Sequence, residues 1–131
     1  MYKIVKNKFN KKNVTIYNST SEKVLPEILR NQKGNINFWL DGHYSEGVTF
    51  KGENKCPVQF ELATIKENLT NFEKISILID DVRCFSLISH DRDADYPSIN
   101  YLVDWAREYQ FDWHIEHDIF IMQKKGSPIQ I

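Results

Sequence analysis

Three aspartates stand directly after apolar runs that are typical of β-strands. Asp41 follows residues 36–40, and the pair Asp80 and Asp81 follows residues 75–79. The carboxyl ends of parallel strands meet at one edge of a sheet, and this edge is where α/β folds bind their ligands. We therefore expect the three carboxylates to converge on one site.

Clustered carboxylates repel each other, and a bound cation relieves this repulsion. Their oxygen atoms suit Mg²⁺ or Ca²⁺, which retain water and can also accept oxygen atoms of a substrate. His43, two residues after Asp41, offers either a further ligand or a general base that titrates near neutral pH. The structural alternative is that aspartates at strand ends only cap the turns that follow them.

The elements that must position these residues follow from the apolar pattern. Runs of β-branched and aromatic residues predict five strands, at residues 14–17, 36–40, 75–79, 113–115 and 119–122. Amphipathic segments predict three helices between them, which begin near residue 22, at Pro57 and at Pro97. We expect an α/β fold in which three parallel strands are followed by an antiparallel hairpin around Asp118, with flanking helices. The expected strand order is first, second, third, fifth, fourth.

Length and composition restrict the class of protein. The 131 residues are 41% hydrophobic, which predicts one globular domain. Seventeen basic residues against 18 acidic ones give a net charge of −1, which favours neither nucleic acid nor an anionic membrane as a partner. The lysine-rich residues 2–12 are interpreted as the end of an amphipathic helix, with a nucleic-acid-binding arm as the alternative. Two cysteines and an amino terminus without an apolar signal segment predict a reduced, cytoplasmic protein.

Two strand-end motifs carry a resemblance to a known family. Residues 38–45 read Phe-Trp-Leu-Asp-Gly-His-Tyr-Ser and residues 79–81 read Ile-Asp-Asp, accompanied by Thr49, Gly52, Pro57, Glu61-Leu62 and Tyr96-Pro97-Ser98. Over residues 10–125 this pattern resembles the class I S-adenosylmethionine-dependent methyltransferases, and within them a bacterial branch with a strand ending in Leu-Asp-Gly-His-Tyr-Ser. The resemblance implies a doubly wound, Rossmann-like fold whose fourth and fifth strands end in the two acidic motifs.

The resemblance also implies roles for individual residues. In the cation-dependent O-methyltransferases, an Asp after the fourth strand and an Asp-Asp or Asp-Asn pair after the fifth hold a divalent ion. Transferred to this chain, Asp41, Asp80 and Asp81 would bind Mg²⁺ or Ca²⁺, which would orient vicinal oxygens of a small-molecule hydroxyl acceptor. His43 would be the catalytic base nearest the accepting hydroxyl. Asn18-Ser19 takes the place of an Asp-Ser pair that lies near the adenine of S-adenosylmethionine.

One part of the family pattern is missing from these 131 residues. The family binds its cofactor with a glycine-rich turn after the first strand and an acid after the second. No G-x-G occurs in this sequence, and no strand is predicted before Val14. We therefore expect residues 1–131 to form a single truncated methyltransferase-like domain, the carboxyl-terminal half, which keeps the acceptor and cation side.

The truncated domain has two expected kinds of partner and one alternative function. An amino-terminal partner chain would supply the missing cofactor side, so methyl transfer by this chain alone is not predicted. The open edge of the first predicted strand favours a homodimer, because an unpaired strand edge tends to pair with another strand. The alternative function is a non-catalytic α/β interaction module, in which the three aspartates only cap turns.

Overall fold

The structure is a computed structural model that describes residues 13–41, 56–85 and 96–125. Within these ranges helices and strands alternate: α1 (Ser21–Arg30), β1 (Gly34–Leu40), α2 (Val58–Glu67), β2 (Phe72–Asp80), α3 (Ile99–Glu108), β3 (Asp112–Glu116) and β4 (Ile119–Lys125). Short 3-10 turns precede and follow β2, at Leu69–Asn71 and Val82–Phe85. The helix predicted within residues 2–12 lies outside the described residues.

The strands form one four-stranded mixed sheet in the order β1-β2-β4-β3. β1 and β2 are parallel, whereas β4 runs antiparallel to both β2 and β3. The α/β class, the flanking helices and the closing hairpin are confirmed, and so is the relative order of the last four predicted strands. The expectation of three parallel strands is wrong, because β1 and β2 are the one parallel pair in the described part of the sheet.

The missing parallel strand is the one predicted at residues 14–17, which have no regular secondary structure. Val14 and Tyr17 are 45% and 50% exposed, so little of their apolar surface is buried against the domain. The β propensity of a four-residue segment reflects how well its side chains pack against neighbouring strands, and it weakens without such neighbours. Local composition therefore overestimated the tendency of this segment to form a strand.

The core lies on one face of the sheet, where β2 contributes alternate residues. Ile75, Ile77 and Ile79 are at most 2% exposed, and Met122 and Phe120 of β4 lie directly opposite the last two. The helices complete this core with Leu29 of α1, with Val58, Leu62 and Ile65 of α2, and with Leu102, Trp105 and Ala106 of α3. In the described ranges, no helix has the length and apolar character needed to cross a membrane.

The β3–β4 hairpin closes through a two-residue turn. Glu116 pairs with Ile119, and the two residues between them, His117 and Asp118, have φ angles of 52° and 63°. Two successive positive φ values are typical of a type I′ turn, whose twist matches that of the flanking strands. Aspartate and histidine adopt this left-handed conformation more readily than most residues do. The turn brings Asp118 close to the chain segment that leaves β2.

Candidate metal centre

The three predicted aspartates lie together at the carboxyl end of the parallel pair. Leu40 pairs with Ile79, so the residues that follow them, Asp41 and Asp80, come side by side. Asp41, Asp80 and Asp81 each offer a carboxylate oxygen, and these oxygens lie within 4.8 Å of one another. Asp41 is exposed, and the other two are half-buried. The carboxylates converge as the strand ends predict, and their role as ligands stays a prediction.

A tight turn after β2 fixes the second and third of these aspartates. Asp81 has a φ of 60°, which is left-handed and which aspartate tolerates better than most residues. Its backbone N–H donates to Oδ1 of Asp80 at 2.9 Å, and its carbonyl accepts the N–H of Cys84 at 2.9 Å. The left-handed conformation of Asp81 and the 3-10 turn that follows it hold both aspartates at the end of the strand.

Arg83 links this turn to the β3–β4 hairpin. Its guanidinium donates to Oδ1 of Asp81 at 3.1 Å and also to the carboxylate of Asp118. Asp118 further accepts the backbone N–H of Arg83 at 3.0 Å, and its carbonyl accepts the N–H of Val82 at 2.9 Å. The hydrogen bond and charge of Asp118, and then the charge of Asp81, raise the pKa of Arg83 above its ordinary value. Arg83 therefore stays positively charged beside the aspartate cluster.

The cluster has dimensions that a hard divalent cation can use. Ligand oxygens lie about 2.1 Å from Mg²⁺ and about 2.3–2.6 Å from Ca²⁺, so ligands on opposite sides of one ion are about 4–5 Å apart. The three oxygens lie within 4.8 Å of one another, a separation comparable to that of ligands around one such ion. Arg83 is the positive group with which such an ion would share Asp81.

A small cavity of about 20 Å³ adjoins the cluster, large enough for one water molecule. Its walls combine three carboxylate side chains, those of Asp41, Asp80 and Glu61, with apolar residues that include Leu40, Ile79 and Phe85. Glu61 is only 6% exposed, and this burial raises the pKa of its carboxyl. A hydrogen bond from Ser21 acts in the opposite direction, and the charge of Glu22 raises the pKa further.

Glu61 is a site residue for which no role is predicted from the sequence, although Glu61-Leu62 accompanies the two strand-end motifs. The buried residues of α2 are Val58, Glu61, Leu62 and Ile65, a spacing that marks the core-facing stripe of a helix. Phe60, beside this stripe, is 47% exposed. A carboxylate therefore lies on the buried stripe in place of an apolar residue, and the apolar pattern of the sequence does not by itself mark Glu61, because Phe60 stands next to it.

The other predicted site residues are not brought to this cluster by the described part of the chain. Asn18 and Ser19 form an exposed bend before α1, and they are not among the residues that line the acidic cavity. Their contact with an adenine stays a prediction. His43 lies outside the described residues, so its role as a base also stays a prediction.

Comparisons of this chain with protein-family models, with curated proteins and with solved structures found no match. The function of this protein is therefore inferred from its residues and their geometry. In the described ranges, Asp41, Asp80 and Asp81 form the one group of carboxylates identified as able to hold a metal ion, and the buried Glu61 lines the same small cavity as Asp41 and Asp80.

Proposed function

We propose that this chain is the acceptor and cation half of an S-adenosylmethionine-dependent O-methyltransferase-like domain. The observation that carries the proposal is the convergence of three aspartate oxygens within 4.8 Å, at the carboxyl ends of two adjacent parallel strands. The two strand-end motifs, Leu-Asp-Gly-His-Tyr-Ser and Ile-Asp-Asp, support the same assignment. We name Mg²⁺ or Ca²⁺ as the cation because all three ligands are carboxylates.

Each residue of the proposed site has a distinct task. A bound divalent ion supplies Lewis-acid chemistry, which lowers the pKa of a coordinated hydroxyl. Asp41, Asp80 and Asp81 would hold that ion beside the small-molecule acceptor. His43 would accept the hydroxyl proton as a general base. Asp118, which accepts the backbone N–H of Arg83, would keep the turn after β2 in place.

The residues of this chain do not fit a complete S-adenosylmethionine site. Among the 131 residues there is no G-x-G, which the family uses to approach the cofactor closely. Asn18 and Ser19 remain the proposed adenine contacts, and an amino-terminal partner chain would supply the other cofactor contacts. We therefore assign no methyl-transfer step to this chain alone.

A second function, that of a non-catalytic α/β interaction module, is favoured by the internal partners of the same aspartates. Asp80 accepts the N–H of Asp81, and Asp81 pairs with Arg83. These contacts are typical of acids that stabilise a turn and need no ligand. In this alternative the cluster would not bind cations with useful affinity.

Isothermal titration of MgCl₂ and of CaCl₂ into the protein separates the two functions. For the wild type we expect a dissociation constant in the millimolar range or below, and for Asp80→Asn an affinity at least about tenfold lower. Asp112→Asn is the matched control, because Asp112 is an exposed aspartate at the start of β3, away from the cluster. Absence of millimolar binding by the wild type would contradict the cation site and support the interaction module.

A further inference from the structure

The two edge strands of the sheet differ in how they are protected. In the part of the chain that the structure describes, β1 lies at one edge and β3 at the other. An edge strand presents unpaired backbone N–H and C=O groups, and charged residues or proline usually prevent it from pairing with another chain. β3 carries Asp112, His114 and Glu116, all exposed. β1 reads Gly-Asn-Ile-Asn-Phe-Trp-Leu and has neither a charge nor a proline.

β1 also carries a large exposed aromatic side chain. Ile36, Phe38 and Leu40 alternate with Asn35, Asn37 and Trp39, and Phe38 and Leu40 are buried in the core. On the opposite face Trp39 is 55% exposed. Leu78 lies in register beside Trp39, and Ile121 lies in register beside Leu78, so the three residues form a row across the sheet. An apolar row thus reaches the uncharged edge, where a side chain of a strand paired with β1 would contact Trp39.

We propose that β1 pairs antiparallel with β1 of a second copy of this chain, about a two-fold axis at Asn37. The two four-stranded sheets would then form one continuous sheet. In this register Ile36 lies opposite Phe38 of the second copy, and Asn35 lies opposite its Trp39. Core-facing residues oppose core-facing residues, so both cores lie on the same side of the joined sheet.

The charges that flank β1 select this orientation. Lys33 precedes the strand and Asp41 follows it, and both are exposed and equally far from Asn37. Antiparallel pairing about Asn37 places Asp41 of each copy opposite Lys33 of the other, so the two-fold axis forms the ion pair twice. A parallel pairing in register would instead place like charges side by side, which is unfavourable.

The dimer does not rest on the proposed function, because the pairing of β1 with a second β1 needs no bound metal, although Asp41 takes part in both. Its test is the association state, whereas the test of the cation site is metal binding. A negative result in one measurement therefore leaves the other intact.

Cysteine cross-linking tests the register directly. Residues opposite each other in an antiparallel pair have Cα atoms about 4.5–5.5 Å apart, within the about 4.4–6.8 Å that a disulfide spans. We expect Asn37→Cys to form a disulfide-linked dimer on mild oxidation. Asn35→Cys, on the same strand and equally exposed to solvent, should not, because it lies opposite Trp39 of the second copy. The wild type, with Cys56 and Cys84, gives the background.

Sedimentation equilibrium tests the charge pairing. Lys33→Asp replaces two attractions by two repulsions and should raise the dimer dissociation constant about tenfold. Adding Asp41→Lys to that variant exchanges the charges and should restore dimerisation, while His114→Lys on the β3 edge should leave it unchanged. A wild type that stays monomeric at about 1 mM would overturn the proposal. Equal cross-linking of Asn35→Cys and Asn37→Cys would overturn it as well.

Discussion

The two ends of the parallel strands differ in the charged side chains that lie there. At the carboxyl end, Asp41 and Asp80 line a cavity of about 20 Å³, and Asp81 lies beside them. At the other end, Lys74 and Lys124, together with Asp112, line a wider recess of about 300 Å³. A wide recess holds a larger ligand, but a small cavity walled by carboxylates is better suited to a single ion.

At the lysine end, the ammonium of Lys124 already has partners within the protein. The ammonium of Lys124 donates to the carbonyl of Tyr109 at 2.6 Å and lies 5.5 Å from the centre of the Phe111 ring. The aspartate end differs because, among the described residues, three carboxylates lie together with one cationic group, Arg83, bound to Asp81. The excess of negative charge at that end is the feature that a divalent cation would neutralise.

The largest expected effect is a loss of stability on substituting the core residues near each end of β2. Ile79 and Ile75 lie on the same strand and face, and each is 2% exposed. Because each substitution leaves a cavity, we expect Ile79→Ala and Ile75→Ala each to lower the free energy of unfolding by about 2–5 kcal/mol in urea titrations. Ile79→Ala should also weaken Ca²⁺ binding, because Ile79 lines the acidic cavity. Equal weakening by Ile75→Ala would mean that the two ends are not independent.

A smaller expected effect is a pH dependence of the stability, caused by the buried carboxyl of Glu61. Burial raises the pKa of Glu61 above the ordinary value of 4.5, so its stabilising contribution is full below about pH 4.5 and is lost as pH rises through the raised pKa. Glu61→Gln removes this titration. We expect the stability of Glu61→Gln relative to the wild type to increase between pH 4 and pH 8, measured by urea unfolding.

The matched control for that experiment is Glu67→Gln, an exposed position on the same helix. Its stability relative to the wild type should show no comparable rise over this pH range. Parallel stability curves for Glu61→Gln and the wild type would contradict the burial of an ionisable carboxyl beside the cluster.

The smallest expected effect concerns Arg83, which shares Asp81 with any bound cation. Arg83→Gln removes a competing positive charge, so we expect Ca²⁺ binding about threefold tighter by isothermal titration. Arg107→Gln, an exposed arginine on α3, is the control and should leave the affinity unchanged. Weaker binding by Arg83→Gln would instead show that Arg83 is needed to position Asp81.

Parts of this site were predictable from sequence because they depend on local features. The apolar runs before Asp41 and Asp80 predict strands, and parallel pairing then brings the two strand ends together. The role of Asp118 was not predictable, because it contacts Arg83 from 35 residues away, across a turn with two left-handed residues. Residues 14–17 show the opposite case, in which local β propensity had no neighbouring strand to stabilise it.

The burial of Glu61 was only partly predictable. The helix from residue 58 follows from its apolar pattern, but which side of that helix faces the core depends on the tertiary packing of α2. The sequence alone left open whether Phe60 or Glu61 would be buried, and hydrophobicity favours burial of Phe60, which is exposed in the structure. The structure resolves this because the stripe from Val58 to Ile65 includes Glu61.

Paramagnetic broadening by Mn²⁺ in amide NMR spectra tests most directly whether the carboxyl end binds a divalent cation. At substoichiometric Mn²⁺ we predict that the amide signals of Asp41, Asp81 and Val82 broaden first, while those of Lys74 and Lys124 stay sharp. Asp80→Asn should abolish the selectivity. Uniform broadening across the protein, or broadening that begins at the lysine end, would contradict the cation site.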